Sequence, residues 1–114
     1  MKYNKYRNKK VTVDGIKFDS QKEAWYYVAL KSKKQNKEIK DFELQVKIEL
    51  MPKFKYQGET VRAITYYCDF LIYHNDGTKE YVDVKGVQTD VFKIKWKMFK
   101  LKLVDTEGVK LTLV

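Results

Sequence analysis

The chain has 114 residues, of which 44% are hydrophobic and 15% aromatic. This length and composition indicate a globular domain with one modest core and argue against a disordered chain. Its 24 lysines and arginines exceed its 15 aspartates and glutamates, and the net charge of +9 favours a polyanionic partner, most commonly nucleic acid. One cysteine and one histidine exclude an internal disulfide and a zinc site built from Cys/His spacing.

Residues 1–10 are predicted to form a flexible basic arm, because they carry five positive side chains and no negative one. No apolar segment follows this arm and no apolar run could span a membrane, so we expect neither a secretory signal nor a membrane partner. The single cysteine is typical of a reducing compartment, and we expect a cytoplasmic protein. Residues 11–114 are predicted to form one domain.

The domain begins with a predicted hairpin over residues 11–18, with Asp14-Gly15 as a type I′ turn. A helix is predicted from about Ser20 to Gln35, since Ser20 and Glu23 match a capping box. Its predicted apolar face is broad and comprises Ala24, Tyr27, Val28 and Lys31, widened by Trp25, Ala29 and Leu30.

Strict alternation predicts a strand over residues 42–50, which Pro52 ends because proline cannot donate a ladder hydrogen bond. The side chains predicted on its apolar face are Phe42, Leu44, Val46, Ile48 and Leu50. A loop or short hairpin through Gly58 then leads to a long hairpin over residues 68–86.

The apolar pattern decides the register of this long hairpin. A two-residue loop at Asp76-Gly77 would set the apolar side of each strand against the polar side of the other. A three-residue loop over residues 75–77, with Gly77 in the left-handed conformation, pairs Phe70 with Val82 and Cys68 with Val84. The second register is therefore predicted, and it sets Asp69 opposite Asp83, with Lys85 on the same face.

Residues 87–104 alternate like a strand over part of their length, but their aromatic residues also recur at helical spacing. Thr89 can cap a helix and no turn signal interrupts the segment, so a helix is predicted. Its exposed face would carry Lys93, Lys97 and Lys100. A turn over residues 105–108 and a strand over residues 109–114 complete an α/β order of helix, three strands, helix and strand around a mixed sheet.

Asp69 and Asp83 suggest a metal site, because directly opposed carboxylates repel each other unless a cation lies between them. Oxygen ligands of this kind suit Mg²⁺ or Mn²⁺. The alternative is that this face is exposed to solvent, in which case Asp69, Asp83 and Lys85 are ordinary surface residues. Glu23 is likewise accounted for by the capping box alone, and the three lysines by an exposed helix face.

These residues resemble the signature of the PD-(D/E)XK nuclease superfamily: an acid on the second core strand, D/E-X-K on the third, and often a glutamate on the first helix. Asp69, Asp83-Val84-Lys85 and Glu23 occupy those places, although Cys68 replaces the signature proline. The chain is also similar, over residues 5–103, to small phage-encoded nucleases, some of them Holliday-junction resolvase-like. The segments that carry this second likeness are a K-Y arm, at Lys2-Tyr3 or Lys5-Tyr6, and D-G-x-x-F-D-S-x-x-E-A, over residues 14–24.

The resemblance implies a restriction-endonuclease-like αβββαβ core, flanked by helices, that hydrolyses DNA phosphodiesters with Mg²⁺ or Mn²⁺. In it Asp69, Asp83 and Glu23 would hold the metal, Lys85 would assist catalysis, and Gln45 would be an accessory residue. DNA would be contacted mainly through phosphates, and resolution of junctions in phage recombination would require a homodimer. The predicted phosphate contacts are Lys5, Arg7, Lys9, Lys10, Lys93, Lys97 and Lys100. A non-catalytic nucleic-acid-binding module and an RNA- or ribosome-associated protein are the alternatives.

Overall fold

A computed structural model describes residues 9–114, so Lys5 and Arg7 of the basic arm lie outside the described residues. Two helices and eight strands follow one another along this part of the chain. In chain order they are β1 (Val11–Val13), β2 (Ile16–Phe18), α1 (Gln21–Gln35), β3 (Asp41–Met51), β4 (Phe54–Tyr56), β5 (Glu59–Val61), β6 (Ile64–Tyr73), β7 (Lys79–Asp83), α2 (Asp90–Leu103) and β8 (Val109–Leu113).

The central sheet has four strands in the order β3-β6-β7-β8. β3 and β7 both run antiparallel to β6, whereas β8 runs parallel to β7, so the sheet is mixed as predicted. The order α1, β3, β6, β7, α2, β8 is the predicted αβββαβ order. β1–β2 and β4–β5 are separate hairpins, and both Asp14 and Gly15 have the positive φ of a type I′ turn.

The apolar face of α1 is narrower than predicted. Ser20 caps the helix as expected, its hydroxyl accepting a hydrogen bond from the Glu23 amide at 3.1 Å. Trp25, Val28 and Ala29, however, are exposed, so their predicted burial is wrong. The helix contacts the rest of the protein along a single stripe, and Glu23 occupies one place in it. The buried side chains are Glu23, Ala24, Tyr27 and Leu30.

The β6–β7 hairpin has the predicted register, with Phe70 opposite Val82 and Gly77 at φ 90° in the three-residue loop. The ladder ends at this pair, so neither the predicted pair of Asp69 with Asp83 nor that of Cys68 with Val84 joins it. The Val84 amide donates instead to the Asp69 carboxylate, and the Lys85 amide donates to the Val114 carbonyl beside β8. The end of the ladder thus leaves a carboxylate to satisfy a backbone donor.

The segment of ambiguous periodicity is a helix, α2, capped by the Thr89 hydroxyl. Phe92, Trp96 and Phe99 are buried beneath it. Adjacent residues of β7 belong to different apolar clusters: Tyr81 packs with the α2 aromatics, and Val82 packs with residues of α1. Because neighbouring strand residues point to opposite faces, the two helices cover opposite faces of the sheet at this point.

At Gln45 and Asp69, the paired strands β3 and β6 change from packing against α1 to packing against α2. The register predicts that they face each other, yet this is the one pair missing from an otherwise continuous ladder between Asp41 and Glu49. On one side of it Leu44 and Phe70 pack with the α1 cluster, whereas beyond it the apolar side chains pack with the α2 cluster. Gln45 itself has φ 48°, a left-handed conformation unusual in a strand.

Among residues 9–114, neither helix is long and apolar enough to cross a membrane.

Candidate active site

Asp69 lies at the centre of the candidate site, on β6 where the packing changes from α1 to α2. Its carboxylate accepts hydrogen bonds from the Val84 amide at 2.9 Å and from Gln45 Nε2 at 3.1 Å. The residue is only 9% exposed. A buried carboxylate is costly unless it is hydrogen-bonded or paired with a cation, and Asp69 has two neutral donors and no cationic one among the described residues.

Asp83, the last residue of β7, is completely buried. Its Oδ2 accepts a hydrogen bond from the Tyr66 hydroxyl. Its Oδ1 lies 3.1 Å from Lys85 Nζ, but in the described residues this oxygen accepts no hydrogen bond of regular geometry. One oxygen of the carboxylate is therefore oriented by a phenol, and the other has only an ion pair.

Glu23 reaches the same site from the first turn of α1 and is 6% exposed. Its Oε2 lies 3.4 Å from Gln45 Nε2, so the Gln45 amide bridges Glu23 and Asp69. Together with Leu44 and the end of β2, the three polar residues line a cavity of about 110 Å³. The left-handed backbone at Gln45 accompanies this bridging position, and a capping role alone does not account for the burial of Glu23.

Burial and neighbouring negative charge raise the pKa of Asp69 and that of Glu23. The pKa of Asp69 is raised to about 7, first by burial and then by the negative charge of Asp83, with a smaller contribution from Glu23 and an opposing one from the Val84 amide. Burial also raises the pKa of Glu23, which Asp19 and Asp83 raise further and Lys85 lowers. These carboxylates therefore form one electrostatic unit with an excess of negative charge.

Lys85 lies between Asp83 and α2. Its ammonium is 4.6 Å from the centre of the Phe92 ring, a cation–π distance, and the residue remains partly exposed. Beside it is an open cleft of about 470 Å³ that also contacts the capping residues of both helices, Ser20 and Thr89. A ligand in this cleft would meet Lys85 and two helix N-termini, which both favour negative charge.

The predicted phosphate contacts that the structure describes are exposed lysines. Lys93, Lys97 and Lys100 are exposed on α2, beside its buried aromatic residues Phe92, Trp96 and Phe99. Lys9 and Lys10 are also exposed, with Lys10 Nζ 3.6 Å from the Asp19 carboxylate.

Tyr66 belongs to the site although the sequence analysis did not select it. Its ring packs against Phe92, Trp96 and Phe99, and burial raises its pKa, so its hydroxyl remains a donor to Asp83. Residues three apart on a strand are expected on opposite faces, so the offset between Tyr66 and Asp69 gave no signal for a shared site. That offset does not distinguish a core tyrosine from one that orients a carboxylate on the neighbouring strand.

A family model described as "Protein of unknown function (DUF1064)" matches residues 3–114. The chain belongs to the DUF1064 family. No curated protein and no solved structure matches the chain.

The side chains of this DUF1064 protein offer carboxylate oxygens as ligands to a hard divalent cation. Among residues 9–114, no three His, Cys, Asp or Glu side chains are arranged as a ready metal cluster. Mg²⁺, however, is commonly held by only one or two carboxylates together with water and substrate phosphate. Asp69 and Asp83 supply two neighbouring buried carboxylates, and within residues 9–114 Asp83 Oδ1 accepts no hydrogen bond. The residues therefore fit Mg²⁺ or Mn²⁺ through this pair, with Glu23 beside it.

Proposed function

We propose that this protein is a metal-dependent DNA endonuclease selective for branched DNA such as Holliday junctions, acting in recombination or processing of phage DNA in the host cytoplasm. The observation that carries the proposal is the buried carboxylate pair, Asp69 and Asp83, with Lys85 against one member and Glu23 close to the other. Burying two neighbouring carboxylates with no cation between them does not stabilise a fold. Binding of a cation is therefore the simplest reason for their burial.

In this proposal Asp69 and Asp83 hold Mg²⁺ or Mn²⁺, with Glu23 completing the site. The metal would lower the pKa of a bound water and offset charge on the scissile phosphate. Tyr66 holds the Asp83 carboxylate in one orientation, while the Gln45 amide does the same for Asp69 and Glu23. Lys85, at the edge of the open cleft, is positioned to contact the phosphate or the attacking water.

The distribution of charge supports DNA as the substrate. The three exposed lysines of α2 lie on the element that begins at the cleft, so a strand entering the cleft could continue along them. Lysine gives charge without the planar fork by which arginine reads guanine, and the chain has only two arginines. Contact through phosphates suits an enzyme that recognises DNA structure. Paired cuts across a four-way junction would then require a homodimer.

The test is a cleavage assay with supercoiled, linear and four-way-junction DNA, each in Mg²⁺ and in EDTA. We expect Mg²⁺-dependent cleavage with paired cuts in the junction, loss of cleavage in Asp83→Ala, and unchanged cleavage in Asp105→Ala, whose carboxylate is exposed in the turn after α2. Binding of DNA without cleavage of any substrate would replace the proposal with a non-catalytic nucleic-acid-binding module. Wild-type activity in Asp83→Ala would refute the assigned site.

A further inference from the structure

α2 has a second apolar face that is largely exposed, although its Met98 packs against the buried aromatic cluster. Val91, Ile94 and Leu101 are 61%, 59% and 74% exposed, and half-buried Met98 lies between them. Their spacing of three, four and three residues is that of the a and d positions of a coiled-coil heptad. This stripe is separate from the buried aromatic face and from the Lys93/Lys97/Lys100 face. We call it the α2 seam.

Lysines border the seam on both sides. If Val91 is position a, Lys95 and Lys102 take position e, and Asp90 and Lys97 take position g. These positions decide which helix pairs with which, because their charges meet those of the partner helix. In the seam of a second copy, Asp90 would offset one lysine contact but another pair of lysines would still face each other, so an acidic helix matches these flanks better than a second copy does.

A groove runs beside the seam and offers room for side chains of a partner. It has a volume of about 370 Å³ and lies between α2 and the start of β6. Ala63, Ile64 and Thr65 form one wall, while Val91, Ile94 and Met98 form the other. An apolar side chain inserted here would extend the contact beyond the helix surface, as in helix-in-groove recognition.

We propose that the α2 seam binds an amphipathic helix of a different protein, one with apolar residues at its own a and d positions and acidic residues flanking them. The flanking lysines select the acidic partner, and the groove receives one of its apolar side chains. The surface is distinct from the candidate active site, and the proposal does not depend on the proposed nuclease activity.

The probe is a fluorescein-labelled synthetic helix with leucine at a and d and glutamate at e and g, compared with the same helix carrying lysine in place of every glutamate. Fluorescence anisotropy measures binding to the full chain. We expect the acidic helix to bind and the basic helix to bind at least about tenfold more weakly. Ile94→Lys should weaken binding of the acidic helix at least about tenfold, because it places a charge in the apolar contact.

Val28→Lys is the matched control, because it adds the same charge at an exposed apolar position of α1 and should bind the acidic helix as the wild type does. The double variant Lys95→Glu/Lys102→Glu should reverse the preference toward the basic helix. Equal binding of the two helices, or unchanged binding by Ile94→Lys, would overturn the proposal. The proposal would also be overturned if Ile94→Lys abolished only self-association, measured by sedimentation velocity, or only binding to phosphatidylglycerol vesicles.

Discussion

Asp83 shows how the site is held together at the scale of single residues. A completely buried carboxylate is retained here by a phenol on one oxygen and an ammonium near the other. Both supporting groups lie against Phe92, since the Tyr66 ring and the Lys85 ammonium each contact its ring. The aromatic residues of α2 therefore orient a carboxylate that lies on β7.

We predict that Tyr66→Phe leaves the fold intact but weakens the site. The variant keeps the ring and its aromatic contacts while removing the only hydrogen bond to the Asp83 carboxylate in the described residues. We expect a loss of about 1.5–3 kcal/mol in the free energy of unfolding, because a charged acceptor is left without its donor. The Mg²⁺ concentration that gives half-maximal cleavage should rise about 10–100-fold. Urea denaturation and a Mg²⁺ titration of cleavage measure the two effects.

Tyr81→Phe serves as the comparison, because Tyr81 packs on Phe99 from the same cluster and its hydroxyl has no hydrogen bond among the described residues. It should change neither quantity appreciably. If Tyr66→Phe matched Tyr81→Phe in both assays, the phenol would have no part in orienting Asp83.

At the scale of elements, the strand register was predictable because it follows from local pattern. One slip of the β6–β7 hairpin would exchange its apolar and polar faces, so the apolar residues and Gly77 determined the pairing of Phe70 with Val82. Residue spacing also identified α2 as a helix once Thr89 was recognised as its cap. Asp69 and Asp83 lie one residue beyond the pair of Phe70 and Val82, and the charge of Asp83 raises the pKa of Asp69.

What the sequence did not predict depends on contacts between elements. The exposure of Trp25 and Val28 follows from how α1 lies on the sheet, and helical periodicity does not contain that angle. The left-handed conformation of Gln45 interrupts a flawless alternation and leaves no mark in the sequence. Alternation left the direction of the Gln45 side chain open, and the structure brings it to Glu23 and Asp69.

The lysine face of α2 gives a prediction for DNA binding. Replacing Lys93, Lys97 and Lys100 together by alanine should lower DNA affinity for all sequences alike. The slope of log affinity against log salt should fall by about 2–3, since each phosphate contact releases close to one counterion. Fluorescence anisotropy with one labelled duplex, over a series of salt concentrations, measures the slope.

A second triple variant with the same loss of charge separates local contact from net charge. Lys33, Lys37 and Lys40 are exposed around the C-terminal end of α1, at the opposite end of that helix from Glu23. Their replacement by alanine should leave most of the slope in place. An equal effect of the two triple variants would show that DNA responds to overall charge and not to α2.

At the scale of the whole molecule, the carboxylates make stability depend on pH. Asp69 has a pKa of about 7 in the folded protein, against an ordinary value of 3.8. The folded state therefore binds the proton more tightly, and the free energy of unfolding should fall as pH rises from about 4 to about 7. In metal-free protein we expect this fall to be on the order of 3 kcal/mol, and Asp69→Asn should remove most of it. Urea denaturation in EDTA across this range measures the change.

Asp105→Asn provides the reference, because its side chain is exposed and distant in sequence from the buried carboxylates. It should retain the wild-type pH dependence. A stability that stays constant between pH 4 and pH 7 in the wild type would mean that Asp69 is no harder to ionise in the folded protein than in the unfolded chain.

The change from α1 packing to α2 packing at Gln45 and Asp69 also has a mechanical consequence. Glu23 moves with α1, whereas Tyr66 and Lys85 are held by the aromatic residues of α2. The candidate site thus joins two layers of packing, and a small shift of one helix relative to the other would alter the spacing of its carboxylates. A ligand bound to the outer surface of α2 would thereby change the distance between Glu23 and Asp83. This holds for a DNA strand along its lysines and for a helix on its seam.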